Sequence, residues 1–106
     1  MDVIVHRERE YYLIECKWEK SPIEAPVIRE PQGKLLNRVD VRGIVMSLPG
    51  FTAGAVSQVQ EYAGSRAILL FGKKDVENLI YQRAGFEDLL SFKYNELVTR
   101  REAVYE

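Results

Sequence analysis

A chain of 106 residues, 46% apolar and 29% charged, has the length and composition of one globular domain with a modest core. Its net charge of −1 supplies no global basic field, which weighs against a module that binds nucleic acid through charge alone. No apolar run approaches membrane-spanning length, no signal-peptide pattern opens the chain, and the single cysteine excludes an internal disulfide. The expectation is a soluble, cytoplasmic protein with no membrane partner.

Residues 2–7, Asp-Val-Ile-Val-His-Arg, are rich in β-branched side chains and predict a strand. Glu8-Arg9-Glu10 is a short charged connection, so a hairpin to the next segment is expected. That segment, Tyr11 to Trp18, is aromatic and branched and predicts the strand around which the chain is organised. Alternation puts Tyr12, Ile14, Cys16 and Trp18 on one face, which reads as the core face, and Tyr11, Leu13, Glu15 and Lys17 on the other. Charges on a central strand are rarely buried unless paired. Glu15 and Lys17 therefore read either as a partly exposed ion pair of little energetic weight, or as a Glu-x-Lys metal-nuclease site. The second needs another carboxylate from the neighbouring strand.

Register decides whether Asp2 can supply it. With a turn of two or four residues, Asp2 stands opposite Glu15 and both carboxylates face the same way as Lys17. With a three-residue loop and no bulge, Val3 opposes Glu15 and Asp2 points to the other face; a one-residue bulge restores the alignment. The sequence leaves these alternatives open.

Residues 20–26 hold two prolines, Pro22 and Pro26, and read as a connector. A helix follows, starting around Val27 or after Pro31, with Leu35, Leu36 and Val39 on its apolar side. Residues 42–47 are a continuous apolar run consistent with a strand buried on both faces. Residues 48–51, Leu-Pro-Gly-Phe, form a turn, and Thr52 is the expected N-cap of a helix to about Tyr62. Its inward stripe is Ala53, Val56, Val59, Gln60 and Ala63. Residues 67–71 predict another fully buried strand. After Gly72, Lys73-Lys-Asp75 leads into a helix ending near Arg83, and the segment from Phe86 to Tyr105 places Phe86, Leu89, Leu90, Leu97 and Val98 near helical spacing. The order is strand, strand, helix, strand, helix, strand, helix, helix: an α/β fold whose mixed sheet is flanked by helices, with sites expected at strand ends.

Asp2-Val-Ile-Val, a short hairpin, and Leu-Ile-Glu-Cys-Lys-Trp18 together resemble the core of the PD-(D/E)XK nucleases, and among these the Mrr-like restriction endonuclease domains. The resemblance continues through Gly43-Ile-Val-Met-Ser47, Gly50-Phe-Thr52 and the small-residue helix. It extends to residues 67–72 and to Asp75-Val-Glu-Asn-Leu-Ile80. It implies a restriction-endonuclease-like fold and a Mg²⁺-dependent (or Mn²⁺-dependent) DNA endonuclease of restriction or defence type. Carried onto this chain, the acids are Asp2 and Glu15 on the metal, with the backbone carbonyl of Cys16 as a further ligand. Lys17 then serves the attacking water or the transition-state charge. Two hard carboxylates suit Mg²⁺, and a nuclease can work at this net charge because its carboxylates offset its basic residues. DNA is the implied partner, together with a homodimer or additional domains for cutting both strands.

The family core normally begins with a helix, and often another strand, before the first acid. Here that first helix is missing, so the 106 residues are expected to be one nuclease-like domain cut from a longer protein. A competing expectation is a catalytically inactive remnant of the fold serving DNA binding or assembly. A third is a helical interaction module built on Phe86 to Tyr105.

Other candidates have plain structural explanations beside the functional ones. Cys16 reads as a buried structural thiol rather than a nucleophile, and His6 as a strand-end residue rather than a metal ligand. Thr52 serves equally as a cap or as part of a phosphate site at a helix N-terminus. Lys20, Lys73 and Lys74 are candidate phosphate contacts, or simply solvated lysines.

Overall fold

The computed structural model describes residues 2–7, 10–35, 41–63, 67–81 and 85–105, with the backbone alone for 2–3, 5–7 and 10. Branched and aromatic residues build β1 (Asp2–Arg7) and β2 (Glu10–Lys17). These pair antiparallel, with Asp2 opposite Glu15 and Arg7 opposite Glu10. That is the register of a two-residue connection, one of the alternatives the sequence allows. The apolar runs form β3 (Val41–Ser47) and β4 (Ile68–Phe71), which add in parallel to complete a four-stranded mixed sheet in the order β1-β2-β3-β4.

Parallel strands need cover on both faces, and among the described residues four helices supply it: α1 (Ala25–Leu35), α2 (Ala53–Glu61), α3 (Lys73–Ile80) and α4 (Phe86–Arg100). Paired residues of parallel strands share a face, so Leu13, Gly43 and Ile68 point to one side, where Leu35 of α1 packs. Arg42, Met46 and Phe71 point to the other. There the Arg42 guanidinium lies 3.6 Å from the centre of the Tyr94 ring of α4, and Phe71 meets Phe86 at 6.0 Å. The core runs through the sheet from Leu13, Val45 and Leu70 to Tyr12, Ile44, Leu69 and Phe71, all buried. Each such side chain contributes about 1.5–3 kcal/mol by leaving water.

Several expectations are corrected. Trp18 lies past the end of β2 and is 64% exposed, so it belongs to no core face, and Cys16 is only half-buried. Leu13 and Glu15 are buried as well as Tyr12, because α1 covers what the alternation alone suggests is the outer face. The first helix starts at Ala25, before either predicted start. Pro26 falls in its first turn, where a missing N–H costs nothing, and Pro31 is tolerated inside the helix because its ring is buried with Ile28, Gln32 and Leu35. Leu36 and Val39 lie outside the described residues. In α2, Ala55 and Val59 face inward, whereas Ala53 is exposed. Helix α3 ends at Ile80, and Arg83, its expected end, lies outside the described residues.

The last helix stops at Arg100 rather than running to Tyr105, and Val98 on it is exposed. Arg101 adopts a left-handed conformation (φ 53°) and closes the helix by donating its N–H to the Glu96 carbonyl. The following tail finds better partners than another helical turn. Lys93 donates to the Val104 carbonyl at 2.9 Å, the Ala103 N–H to Gln60 Oε1 at 3.2 Å, and the Tyr105 hydroxyl to the Phe51 carbonyl at 3.2 Å.

Candidate functional site

Glu15 sits near the C-terminal end of β2 with Val45 of β3 beside it and the backbone of Asp2 on its other flank. Its side chain is 1% exposed. A carboxylate so placed is costly unless cations and hydrogen bonds compensate it. Glu15 is therefore no surface carboxylate, although Lys17, with which it forms an ion pair, stays partly exposed.

Two lysines address the two carboxylate oxygens. Lys34, in the last turn of α1, donates to Oε1 at 2.6 Å. Lys17, two residues along β2, brings its ammonium to 3.7 Å from Oε2, beyond hydrogen-bonding distance. Oε2 is buried and makes no hydrogen bond. The lysine heads reach partly into solvent, with 33% of the Lys34 side chain and 22% of the Lys17 side chain exposed. Glu30, one turn earlier on α1, lies 3.8 Å from Lys34 on its solvent side.

The approach of α1 that delivers Lys34 has a sequence cause. Gly43 carries no side chain, and a Cβ there would stand 3.1 Å from Ile68 Cγ1 and 3.3 Å from Leu35 Cδ1. Leu35 can therefore lie against β3, and its neighbour Lys34 reaches across to β2. A glutamine pair fixes the other end of this packing. Gln58 of α2 donates to Gln32 Oε1 at 2.8 Å, and Gln32 donates to the Gln58 carbonyl at 3.2 Å.

Of the residues expected at the site, Glu15 and Lys17 come together, and the backbone of Asp2 stands directly opposite Glu15. The side chains of Asp2 and His6 lie outside the described residues. Cys16 pairs with Met46 of β3, between the two charged residues. Thr52 caps α2: its Oγ1 accepts the Ala55 N–H at 3.2 Å, which accounts for the hydroxyl without a ligand. Lys73 and Lys74 are exposed in the first turn of α3 and line a cavity of about 420 Å³ with residues 48–50, Gly72 and Tyr105. Gly50 permits this turn, with φ at +90°. Lys20 is exposed in the bend beyond β2.

Sequence reasoning missed Lys34 and a second buried carboxylate. Asp75 Oδ2 accepts Lys93 Nζ and the Gly72 N–H, both at 3.0 Å, and both side chains are only 4% exposed. A signal for Lys93 is present: it shares a helical stripe with Leu90 and Leu97, all three buried. Lys93 also sits 4.8 Å from the centre of the Phe71 ring. The two buried acids thus differ. Asp75 has its charge and its hydrogen bonds answered, whereas Glu15 keeps one oxygen without a hydrogen bond.

That oxygen is the feature a hard cation fits. Carboxylate oxygens suit Mg²⁺ or Mn²⁺, and a buried acceptor without a donor gains a partner when an ion binds. Among the described residues no three His, Cys, Asp or Glu side chains cluster as a metal site. No described helix is long and apolar enough to cross a membrane.

A family model described as restriction endonuclease matches residues 1–80 of the chain. Comparison with curated proteins and with solved structures gives no match.

Proposed function

Because the chain belongs to the restriction endonuclease family, we propose that it is a metal-dependent deoxyribonuclease domain, hydrolysing phosphodiester bonds at the end of β2. The observation that carries this reading is the buried Glu15 carboxylate, whose Oε2 makes no hydrogen bond and faces the Lys17 ammonium at 3.7 Å. Asp2 and Glu15 would hold Mg²⁺ or Mn²⁺, with the Cys16 carbonyl as a further ligand. When bound, such an ion supplies Lewis-acid polarisation of the phosphoryl group and a more acidic water.

The chain's own residues do the rest. Glu15, fixed by burial and by Lys34, offers an oxygen that does not need to reorganise. Lys17 orients the attacking water or offsets charge gathering on the phosphate. Lys20, Lys73 and Lys74 steer the DNA backbone through phosphate contacts, with Thr52 at the N-terminus of α2 as a further contact. A homodimer or additional domains would bring the second site needed to cut both strands.

The test is cleavage of linear and supercoiled DNA with and without Mg²⁺. Lys17→Ala is expected to lower the rate on the order of 10²–10³-fold, the loss typical of removing one preorganised stabiliser of developing charge. Cleavage undiminished in Lys17→Ala overturns the assignment. A remnant of the fold without activity is the second reading, favoured by Lys34, whose ammonium already neutralises Glu15. It predicts neither cleavage nor divalent-cation binding that depends on Glu15.

A further inference from the structure

We propose that Lys34 makes Glu15 a one-oxygen metal ligand, and so biases the site toward a small octahedral cation and against calcium. This rests on the metal reading of Glu15 above and adds to it a specificity role for a residue of α1.

The two oxygens of Glu15 are not equivalent. Oε1 is held by Lys34 at 2.6 Å, while Oε2 is buried without a hydrogen bond. An ion that takes Oε2 alone leaves the Lys34 contact intact. An ion that takes both oxygens must approach Oε1 against an ammonium already seated there. Mg²⁺ is satisfied by one carboxylate oxygen and completes its octahedron with waters, whereas the larger Ca²⁺ takes more ligands and readily engages a carboxylate through both oxygens. Lys34 therefore penalises the calcium mode selectively.

The placement of Lys34 is built into the fold. Its helix is seated by Leu35 against Gly43 and by the Gln32–Gln58 pair. Its head lies between the buried Glu15 and Glu30, at 2.6 and 3.8 Å. An ammonium presents rotatable donors to one oxygen, unlike a guanidinium, whose planar fork spans both.

Calorimetric titration with MgCl₂ and with CaCl₂, without DNA, tests the idea in the wild type, Lys34→Met, Lys34→Arg and Glu15→Gln. In Lys34→Met, calcium affinity should rise relative to magnesium by about tenfold, the weight of one hydrogen bond to a charged group. A magnesium-to-calcium ratio unchanged from the wild type overturns the proposal. Lys34→Arg keeps the counter-charge that the buried carboxylate needs for folding. Its fork should engage both oxygens and weaken magnesium binding by about tenfold, and unaltered affinity there also overturns the proposal. If the wild type binds neither ion, or Glu15→Gln binds as well as the wild type, the metal reading itself falls and takes this one with it. The control thus separates the two failures.

Discussion

Replacing Glu15 by methionine should make the protein more stable while removing its response to magnesium. The carboxylate is 1% exposed, and an ion taken out of water at such depth carries an effective penalty of several kcal/mol. Against that stand one charge-assisted hydrogen bond from Lys34, worth about 1.5–3 kcal/mol, and the longer ion pair with the partly exposed Lys17, worth about 0–1 kcal/mol. The second oxygen recovers nothing through hydrogen bonding. Methionine fills a similar volume, and the two lysines are not stranded, because 33% and 22% of their side chains already meet solvent. The net expectation is a gain of about 1–3 kcal/mol, because the partners left behind keep their solvent and no buried charge is stranded. In a domain of this size each kcal/mol raises Tm by about 4–8 °C. Urea unfolding followed by far-UV circular dichroism in EDTA measures it. With magnesium at about 100 times Kd the wild type should then gain about 2.7 kcal/mol, and the variant nothing. A loss of more than about 1 kcal/mol in the variant would refute the reasoning, since Glu15 would then be a structural ion-pair member of the ordinary kind.

Lys93→Met should behave in the opposite way, losing about 3–5 kcal/mol in the same unfolding experiment because it leaves Asp75 buried and charged. The double change Lys93→Met with Asp75→Leu should recover much of that loss. Thr52→Ala should cost about 1 kcal/mol through removal of the cap on α2, with Thr52→Ser close to wild type. Removing Lys73 and Lys74 together should flatten the salt dependence of DNA affinity, by about 0.9 in the log–log slope for each phosphate that is no longer neutralised, as read by fluorescence anisotropy. An unchanged slope would place those lysines away from the DNA.

The strands and their order are legible because the signals are local. Apolar runs bounded by breakers mark β3 and β4, and branched residues with charged punctuation mark the hairpin. The Thr52 cap announces α2 by itself. Local rules fail where tertiary contact overrides them. Pro22 and Pro26 mark residues 20–26 as a connector, yet the helix already begins at Ala25, and burial of Ile28, Pro31 and Leu35 offsets the backbone bond missing at Pro31. Alternation along β2 assigns a core to one side only, since nothing in that strand reveals that α1 will cover the other. The Glu15–Lys17 proximity follows from spacing two along a strand. Lys34 cannot be found that way: its reach depends on how closely α1 approaches β3, which in turn depends on the glycine at position 43. Asp75 and Lys93 lie 18 residues apart on different helices, and only the stripe of Leu90 and Leu97 hints that the lysine turns inward.

The irregular tail has a consequence for how the molecule opens. Residues 103–105 are fastened to α2, to α4 and to the loop before α2, although the two helices belong to layers on opposite sides of the sheet. A strap of this kind couples layers that would otherwise fray independently. Amide hydrogen exchange should therefore find α2 and the second half of α4 opening as one cooperative unit, and Gln60→Ala, which removes the acceptor that ties Ala103 to α2, should let them exchange separately.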